Sequence, residues 1–523
     1  MKKKKHKIII RILTIFILII STVIISFSKY MSEKFADQSI DEMIFYLVSG
    51  TEGTSSDVFI SAIKSIILPF LLILFIVYLP ILKMDSWKNI IELKIRNKEF
   101  SFYVFPITWI YKFRLLYAFI ILLISIVTCY QILGVRDYIK SLTDYSSYID
   151  DNYVNGQDVS ITFPKEKRNL IILYMESMEN SMMDKENGGG WNYNVIPELT
   201  TIAKSNLNFS NSNKVGGASP IYGTTWTVGA MVGTTSGLPL KIPVNGNEYT
   251  ASDKFLAGAY TLGDVLKKEG YNQLLMFGSD ANFGGRKNYY VRHGNYEISD
   301  LNTAIQEGKM QASQKVWWGY DDTHLFDWAK DEITSLASSE KPFSMTLLTA
   351  NTHFPDGYLE SNAEQKYGSQ YENVYAYSSK QVAEFVKWLQ LQDFYDNTTI
   401  VLLGDHLSMQ PGDYFQKYTY AGYSRTIYNA FINPAMEPVK SKNRIFTSLD
   451  MYPTILASVG AKIKGDRLGL GTNLFSNRET LEEKRGIDYV SSELAKNSKY
   501  YNQHILQGDY FNLLKKAQIE NNQ

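Results

Sequence analysis

Three long apolar runs separated by polar stretches dominate the beginning of the chain. They span residues 8–28, 58–82 and 115–134. Each run is close to the roughly 20 residues that an α-helix needs to cross the hydrocarbon core of a bilayer. A cleaved signal peptide explains at most the first run, and buried core helices are a poor explanation for three runs in succession. We therefore expect residues 1–134 to form a three-helix transmembrane region.

Charged residues between these runs predict the orientation of the chain. The loop of residues 29–57 has two lysines against six acidic residues, whereas the loop of residues 83–114 has seven basic residues against three acidic ones. Loops rich in Lys and Arg remain in the cytoplasm. Together with the lysine cluster at the N-terminus, these loops predict that everything after the third run lies on the outer face of the membrane.

Beyond the apolar runs the pattern changes again. Residues 135–165 are polar and rich in Tyr and Asp, which indicates a tether, and residues 486–523 form a polar tail that we expect to be peripheral. In residues 166–485, short apolar runs alternate with amphipathic stretches, which predicts an α/β domain on a mostly parallel sheet. The clearest strands are residues 170–174, 273–277, 343–348 and 399–403.

Composition narrows the possible functions. Lys and Arg together number 53, equal to Asp and Glu, so no net charge favours nucleic acid as a partner. The single cysteine, Cys129, lies in the third apolar run, which rules out a disulfide within the chain and a cysteine-ligated zinc site. A metal ion bound by this chain would therefore need oxygen and imidazole ligands.

Polar side chains follow four of the predicted strands, at or shortly after the point where each strand ends. They are Glu176, Asp280, His353 and the pair Asp405–His406. The carboxyl ends of parallel strands meet at one edge of a sheet, where α/β proteins bind their ligands. Carboxylate and imidazole groups suit Zn²⁺ or Mn²⁺. We expect Glu176, Asp405 and His406 to bind one divalent metal ion.

A threonine-rich segment between the first two strands supplies a candidate nucleophile. In GTTWTVGAMVG, Thr224 and Thr225 follow Gly223 and precede a run compatible with a helix. A hydroxyl at a helix N-terminus lies among N–H groups that favour an anionic phosphate, and a nearby metal eases the loss of its proton. Alone, Thr224 reads as a helix cap and Arg286 as a surface charge. Their order among the strand-end groups favours a phosphoryl-transfer site.

Motifs spread over about residues 165–475 resemble those of a known enzyme family. They include NLIILYMESME, GTTWTVGAMVGTTSGLPL, FGSDANFGGRKNYY, WGYDDTHLF, LLTANTHFP, LLGDH and GDRLGLGTNLF. In content and order these segments resemble the phosphoglycerol transferases of the alkaline phosphatase and sulfatase-like superfamily, such as the periplasmic-glucan phosphoglycerol transferase and lipoteichoic acid synthase. The resemblance implies a sulfatase-like fold for residues 166–485. It also implies a multi-pass protein of the bacterial inner membrane with its catalytic domain on the periplasmic face.

The resemblance assigns a metal centre to single residues. It implies that Thr224 is both the nucleophile and a metal ligand, together with Glu176, Asp405 and His406. Thr225 is the weaker candidate for the nucleophile. The expected cofactor is one divalent ion, for which the family favours Mn²⁺, with Zn²⁺ or Mg²⁺ as alternatives.

The substrate side is assigned in the same way. The resemblance implies that Arg286 contacts phosphate and that His353 contacts the substrate as a catalytic residue, and we expect Asp280 to join them at the strand ends. One position departs from the pattern. Lipoteichoic acid synthases carry Trp two residues before the arginine, whereas this chain has Gly284. The contacts to glycerol are therefore expected to differ.

The predicted function is transfer of phosphoglycerol from phosphatidylglycerol to a surface or periplasmic glycan, or to another polyol, through a covalent phospho-threonine. A phosphoethanolamine transferase and a phosphodiester hydrolase of the same superfamily remain alternatives. An arylsulfatase is disfavoured because no Cys/Ser-x-Pro-x-Arg segment is present. A non-catalytic surface assembly protein is disfavoured because a scaffold needs no such set of ligands. The acceptor and the oligomeric state are left open by the sequence.

Overall fold

The chain folds into two compact units. A computed structural model describes residues 2–34, 44, 56–81, 90–95, 98–103, 112–241, 254–410 and 413–508. The first unit comprises Met1–Ile40 and Ser56–Tyr138, and the second comprises Asp41–Ser55 and Ile139–Gln523. The two units differ in composition and in the kind of core that each one contains.

In the part of the chain that the structure describes, the first unit contains three long apolar helices and one antiparallel pair of strands. Its elements are α1 (Lys2–Lys34), α2 (Ser56–Tyr78), the antiparallel strands β1 (Ile90–Ile95) and β2 (Lys98–Tyr103), and α3 (Arg114–Ile132). Stretches of these helices, Lys5–Ser32, Ile63–Ile81 and Arg114–Ile132, are long and apolar enough to cross a membrane. This confirms the three predicted helices.

The apolar side chains of this unit point mostly outward. Leu68 is 73% exposed and Leu123 is 62% exposed, while a small core forms around Leu18 and Ala118. Such a surface is unfavourable in water and favourable in lipid. Most of the loop residues that predict the orientation lie outside the described residues, so the outer-face location of the second unit stays a prediction.

The second unit is organised around a six-stranded sheet. Its strand order is β6-β5-β7-β4-β8-β9, and every neighbouring pair is parallel except β8 and β9. This confirms the predicted α/β fold with a mostly parallel sheet. Short two-residue strands form two further ribbons. The strands are β3 (Ile161–Thr162), β4 (Asn169–Met175), β5 (Asn272–Phe277), β6 (Glu297–Ser299), β7 (Phe343–Leu348), β8 (Thr398–Gly404), β9 (Asn429–Ile432), β10 (Lys462–Ile463), β11 (Arg467–Leu468) and β12 (Gly471–Thr472).

Helices cover both faces of this sheet. The helices that follow α3 are α4 (Val135–Thr143), α5 (Tyr148–Asn152), α6 (Pro197–Ser205), α7 (Thr227–Ser236), α8 (Leu262–Lys268), α9 (Arg286–Arg292), α10 (Leu301–Gln306), α11 (Asp322–Ala337), α12 (Gln370–Gln390), α13 (Tyr414–Tyr418), α14 (Met451–Ser458), α15 (Leu481–Arg485) and α16 (Ile487–Ala495). Helices α6, α11 and α12 contribute to the core on one face, and α7, α8 and α14 to the core on the other.

The central strands are apolar on both faces, which explains why they form the middle of the sheet. In β4, Ile171 and Leu173 belong to one core, while Leu170 and Ile172 belong to the other. All four side chains are fully buried. Strands with two buried faces are typical of parallel sheets covered by helices, because successive side chains point to opposite sides.

The register of the central strands brings their carboxyl ends together. Met175 at the end of β4 pairs with Gly404 at the end of β8. Tyr174 pairs with Leu348, the last residue of β7, and Leu348 also pairs with Phe277 at the end of β5. The residues that follow these strands therefore emerge at a single edge of the sheet.

The expected tether and tail both contribute to the core of the second unit. Ile149 in α5 is 1% exposed, and Leu494 in α16 and Tyr501 are fully buried. Residues 487–506 are thus part of the packed domain rather than a peripheral tail. Their apolar side chains are few and widely spaced among polar ones, which made the segment read as polar. Residues 509–523 lie outside the described residues.

We predict that Leu494→Ala destabilises the second unit. Removing a fully buried leucine side chain costs about 2–5 kcal/mol, which lowers the melting temperature by on the order of 5 °C. Thermal unfolding of the full chain in detergent measures this shift, with Ser492→Ala on the exposed side of α16 as the matched control. Equal melting temperatures for the two variants would mean that α16 does not contribute to the core.

Candidate metal centre and active site

Three buried side chains meet at the carboxyl edge of the sheet. Glu176 follows β4, and Asp405 and His406 follow β8, so the strand register alone makes them neighbours. Ligand atoms of these three residues all lie within 4.8 Å of one another. His406 Nε2 is 3.5 Å from Glu176 Oε1 and 3.4 Å from Asp405 Oδ2. We call these residues the triad.

The free lone pairs of the triad fit a divalent cation. Asp405 Oδ1 accepts hydrogen bonds from the backbone N–H groups of Ser177 and His406, whereas its buried Oδ2 has no hydrogen-bond partner in the described part of the chain. His406 Nδ1 lies 2.8 Å from the carbonyl oxygen of Leu407 and donates to it. The other ring nitrogen, Nε2, therefore carries the lone pair and faces both carboxylates, as a metal-binding histidine does.

Electrostatics also favour a bound cation at this place. Burial, reinforced by the neighbouring Glu176 carboxylate, raises the pKa of Asp405 well above its ordinary value. Burial alone would raise the pKa of Glu176 too, but the nearby imidazoles of His353 and His406 outweigh it and hold that pKa below its ordinary value. When both are ionised, the buried carboxylates of Glu176 and Asp405 repel each other. A cation bound between them would remove the energetic cost of that repulsion.

A threonine hydroxyl reaches the triad, and it belongs to Thr227. Thr227 Oγ1 is 3.2 Å from Glu176 Oε2 and 3.3 Å from His406 Nε2. Thr227 is the first residue of α7, so its side chain lies where backbone N–H groups have no partner within the helix. Anionic groups bind favourably at such a position. The hydroxyl is therefore positioned between the triad and any phosphate bound at the start of α7.

The structure corrects the predicted position of Thr224. Its hydroxyl donates to the carbonyl oxygen of Ile221 at 3.0 Å, and its side chain is fully buried. The error came from expecting the helix to begin at the first threonines. Gly223, with φ of +80°, instead lies in a turn closed by a hydrogen bond from the Thr224 N–H to the Ile221 carbonyl oxygen, and the half-buried Thr225 lies in the bend that follows. The sequence contains one signal that points to Thr227. Of these threonines, only Thr227 directly precedes the unbroken run VGAMVG.

A small cavity opens beside the triad. Arg286 and His353 line it together with Glu176 and Thr227, so the structure brings both predicted substrate-side residues to the same place. The rest of the lining is mainly apolar or aromatic and includes Val228, Phe277, Phe283, Trp318 and Leu348. A ligand in this cavity would meet one guanidinium, one imidazole and the threonine hydroxyl, against a background of ring and aliphatic surfaces.

Arg286 is held firmly in this cavity. It is 5% exposed, and its guanidinium donates to Ser279 Oγ at 3.0 Å and to the Asp280 carbonyl oxygen at 2.8 Å. The same group lies 4.3 Å from the centroid of the Phe277 ring. The side-chain carboxylate of Asp280 accepts from the N–H of Asn282, so in the described residues it supports the turn that leads to Arg286 and does not line the cavity.

His353 has one ring nitrogen committed and one available. Its Nδ1 is 2.6 Å from the carbonyl oxygen of Phe354 and donates to it, which leaves Nε2 with the lone pair. The Trp318 ring packs 4.8 Å from the imidazole. Burial lowers the pKa of His353 below its ordinary value, so the neutral form predominates at neutral pH. A neutral imidazole can accept a proton from a hydroxyl group.

Several positioning residues were not predicted. Thr349 Oγ1 accepts from the backbone N–H of Glu176, and Thr352 Oγ1 donates to the Glu176 carbonyl oxygen. The buried Asp322 accepts from the N–H groups of Ala350 and Asn351 in the same loop. These contacts fix the loop that carries His353. The sequence offered a hint in TANTH, where small polar residues directly follow a strand, but not the partners of those residues.

Comparisons with known proteins identify the family of the second unit. A family model described as Sulfatase matches residues 168–461, more than half of the chain. Phosphoglycerol transferase I of Salmonella paratyphi B is 30% identical over 257 residues, which cover 47% of this chain and 32% of that relative. The chain thus spans about a third of the length of the curated relatives it matches.

Solved structures with a similar fold include two from Gram-positive bacteria. The lipoteichoic acid synthase LtaP from Listeria monocytogenes is 19% identical, with 63% of this chain and 81% of that chain covered and a TM-score of 0.48. The Streptococcus pyogenes phosphoglycerol transferase GacH, in complex with sn-glycerol-1-phosphate, is 15% identical, with 73% and 94% covered and a TM-score of 0.42. The family model confirms what the motifs indicated: the chain belongs to the sulfatase family.

Proposed function

We propose that this protein is a membrane-anchored, metal-dependent phosphoglycerol transferase. It takes phosphoglycerol from phosphatidylglycerol and passes it to a glycan or another polyol. The similarity to phosphoglycerol transferase I supports the reaction class. The single observation that carries the proposal is the Thr227 hydroxyl, which contacts both Glu176 and His406 of the triad. A hydroxyl in that position suits a covalent mechanism.

The first half of the reaction forms a phospho-threonine. Thr227 Oγ1 attacks the phosphorus of the donor and loses its proton, the bond from phosphorus to the diacylglycerol oxygen breaks, and diacylglycerol leaves with a proton. Arg286 holds the phosphate oxygens. A divalent cation bound by Glu176, Asp405 and His406 would neutralise the phosphate charge and lower the pKa of the attacking hydroxyl. The resemblance to manganese enzymes of this superfamily favours Mn²⁺.

The second half transfers the group to the acceptor. An acceptor hydroxyl attacks the phosphorus, its proton passes to His353 Nε2, and the bond to Thr227 Oγ1 breaks with return of a proton to the threonine. The lowered pKa of His353 supports this role, because the imidazole is already neutral when the acceptor arrives. Water in place of the acceptor would give hydrolysis at the same site.

The charges of the cavity favour glycerol over ethanolamine as the head group. Arg286 contributes a positive charge, and the only carboxylate among the cavity-lining residues of the described chain is Glu176, which belongs to the triad. An ammonium group in this cavity would have no anionic partner of its own. A neutral glycerol head group avoids that cost, which is large for a buried charge.

We predict that Thr227→Ala abolishes donor cleavage whereas Thr224→Val does not. Loss of the attacking hydroxyl should reduce diacylglycerol release by at least about a thousandfold. Thr224→Val removes one buried hydrogen bond, at about 1 kcal/mol of stability, and should leave the rate close to wild type. The assay uses labelled phosphatidylglycerol in nanodiscs, with mass spectrometry for a glycerophosphate adduct on the Thr227 peptide. The opposite pattern of activities would place the nucleophile at Thr224.

We predict that Asp405→Asn weakens binding of Mn²⁺ by at least about tenfold, because the substitution removes a charged ligand from the triad. Titration of the metal-stripped protein measures the affinity directly, without any assay of activity. Asp280→Asn is the matched control, since this carboxylate accepts a backbone N–H outside the triad. Parallel titrations with Zn²⁺ and Mg²⁺ compare the candidate ions. Equal affinities for the two variants would reject Asp405 as a ligand.

We predict that the second unit faces the outside of the cell. Cys129 is the single native cysteine, so a Cys129→Ala background allows one cysteine to be introduced at a time. With Ser492→Cys, a membrane-impermeant maleimide should label intact cells. With Lys5→Cys, at the N-terminus expected in the cytoplasm, labelling should require permeabilisation. Labelling of residue 492 only after permeabilisation would reverse the orientation.

A further inference from the structure

Four tyrosines lie in segments that follow β4, β7 and β8, at the same end of the sheet as the triad. We call Tyr193, Tyr367, Tyr418 and Tyr420 the tyrosine rim. Tyr193 and Tyr367 are stacked with ring centroids 5.6 Å apart, and Tyr418 is stacked on the buried Trp191 at 5.3 Å. Tyr193 is 42% exposed and Tyr420 is 41% exposed, so ring surface is available to a partner.

The rim is held in place by a buried carboxylate. Glu372 Oε1 accepts from the hydroxyl of Tyr193 at 2.6 Å and from Nε1 of Trp191 at 3.1 Å. Glu372 itself is 1% exposed. The Tyr193 ring and the buried Trp191 ring that supports Tyr418 are therefore oriented by one fixed acceptor. Because the Tyr193 ring has little freedom left to lose, a ligand that stacks on it loses little entropy.

The rim adjoins the loops of the catalytic site. Tyr371, the residue before Glu372, donates its hydroxyl to the Thr352 carbonyl oxygen at 3.0 Å and lies 2.6 Å from Ser408 Oγ. Thr352 precedes His353, and Ser408 follows His406 by two residues. The helix that carries Glu372 thus contacts the loops that carry His353 and His406.

The chemistry of the rim fits a sugar better than a lipid or an apolar protein surface. In the described residues of 184–193, 361–370 and 413–423, tyrosine is the only large hydrophobic side chain that is strongly exposed. Ammonium groups lie near three of the rings, with Lys185 4.6 Å from Tyr420, Lys366 5.6 Å from Tyr367 and Lys417 5.4 Å from Tyr418. Rings pack against the C–H faces of pyranoses, and hydroxyl and ammonium groups bond sugar hydroxyls.

A large acceptor does not fit into the cavity beside the triad and needs a binding surface outside it. The lining of this cavity consists mainly of apolar and aromatic side chains around Thr227, Arg286 and His353, and the cavity volume of about 30 Å³ leaves no room for an oligosaccharide. The remaining units of a larger acceptor must lie outside. We infer that the tyrosine rim binds a glycan acceptor and presents its hydroxyl to the site; this inference rests on the proposed transferase function.

The test uses the full chain in nanodiscs that contain phosphatidylglycerol. Transfer is measured to glycerol, which is too small to need the rim, and to a panel of neutral gluco- and N-acetylglucosamine oligosaccharides. Wild-type protein should use at least one oligosaccharide better than glycerol. The double variant Tyr193→Ala/Tyr420→Ala should raise the KM for that oligosaccharide about tenfold, while its kcat and the rate with glycerol change by less than about twofold.

Two controls separate stacking from other effects. Tyr193→Phe keeps the ring but loses the hydroxyl that donates to Glu372, so the KM should rise by no more than about threefold, well short of the effect of the double variant. Tyr489→Ala removes a tyrosine that is 49% exposed and lies outside the rim. It should change neither the rate with glycerol nor the KM for the oligosaccharide. An unchanged oligosaccharide KM in the double variant would overturn the inference. So would a wild-type protein that uses no oligosaccharide of the panel better than glycerol.

Failure of the two proposals can be told apart. If wild-type protein releases no diacylglycerol with any acceptor, the proposed transferase function is rejected, and the rim inference falls with it. If diacylglycerol is released but the double variant lowers that release with glycerol as acceptor, the rim serves the lipid donor and the glycan inference alone is rejected.

Discussion

The repulsion between two buried carboxylates is the constraint on which this site depends. Glu176 and Asp405 emerge from neighbouring parallel strands whose register pairs Met175 with Gly404, so the sheet itself forces them together. Removed from water, such a pair is costly unless it shares a proton or a cation. The unpartnered Oδ2 of Asp405 and the inward Nε2 of His406 indicate that this fold is built for the cation.

The pattern of apolar and polar residues was sufficient to predict the sheet and the edge at which the triad lies. Strands buried on both faces read as continuous apolar runs, and polar residues at their ends identify the edge where ligands bind. The positions of Glu176, Asp405 and His406 followed directly from that logic. The three long apolar helices followed from length and composition alone, because nothing in water would cover so many apolar residues in succession.

Two features depended on packing that no linear pattern reveals. The turn at Gly223 and the burial of Thr224 precede α7, whose first residue is the half-buried Thr227. Likewise, α16 buries its few apolar side chains because partners distant in the chain surround them. Spacing within a segment cannot disclose a partner elsewhere. The threonine that reaches the triad and the burial of the C-terminal segment were therefore not predicted.

We propose that the side chains of Glu176, Thr227, Asp405 and His406 share one metal ion at the sheet edge. Anomalous diffraction at the manganese absorption edge, from crystals grown with Mn²⁺, tests this claim most directly. We expect a single strong peak in bonding contact with Glu176, Thr227, Asp405 and His406. A peak bound elsewhere, or one at the triad with the Thr227 hydroxyl turned away from it, would contradict the account.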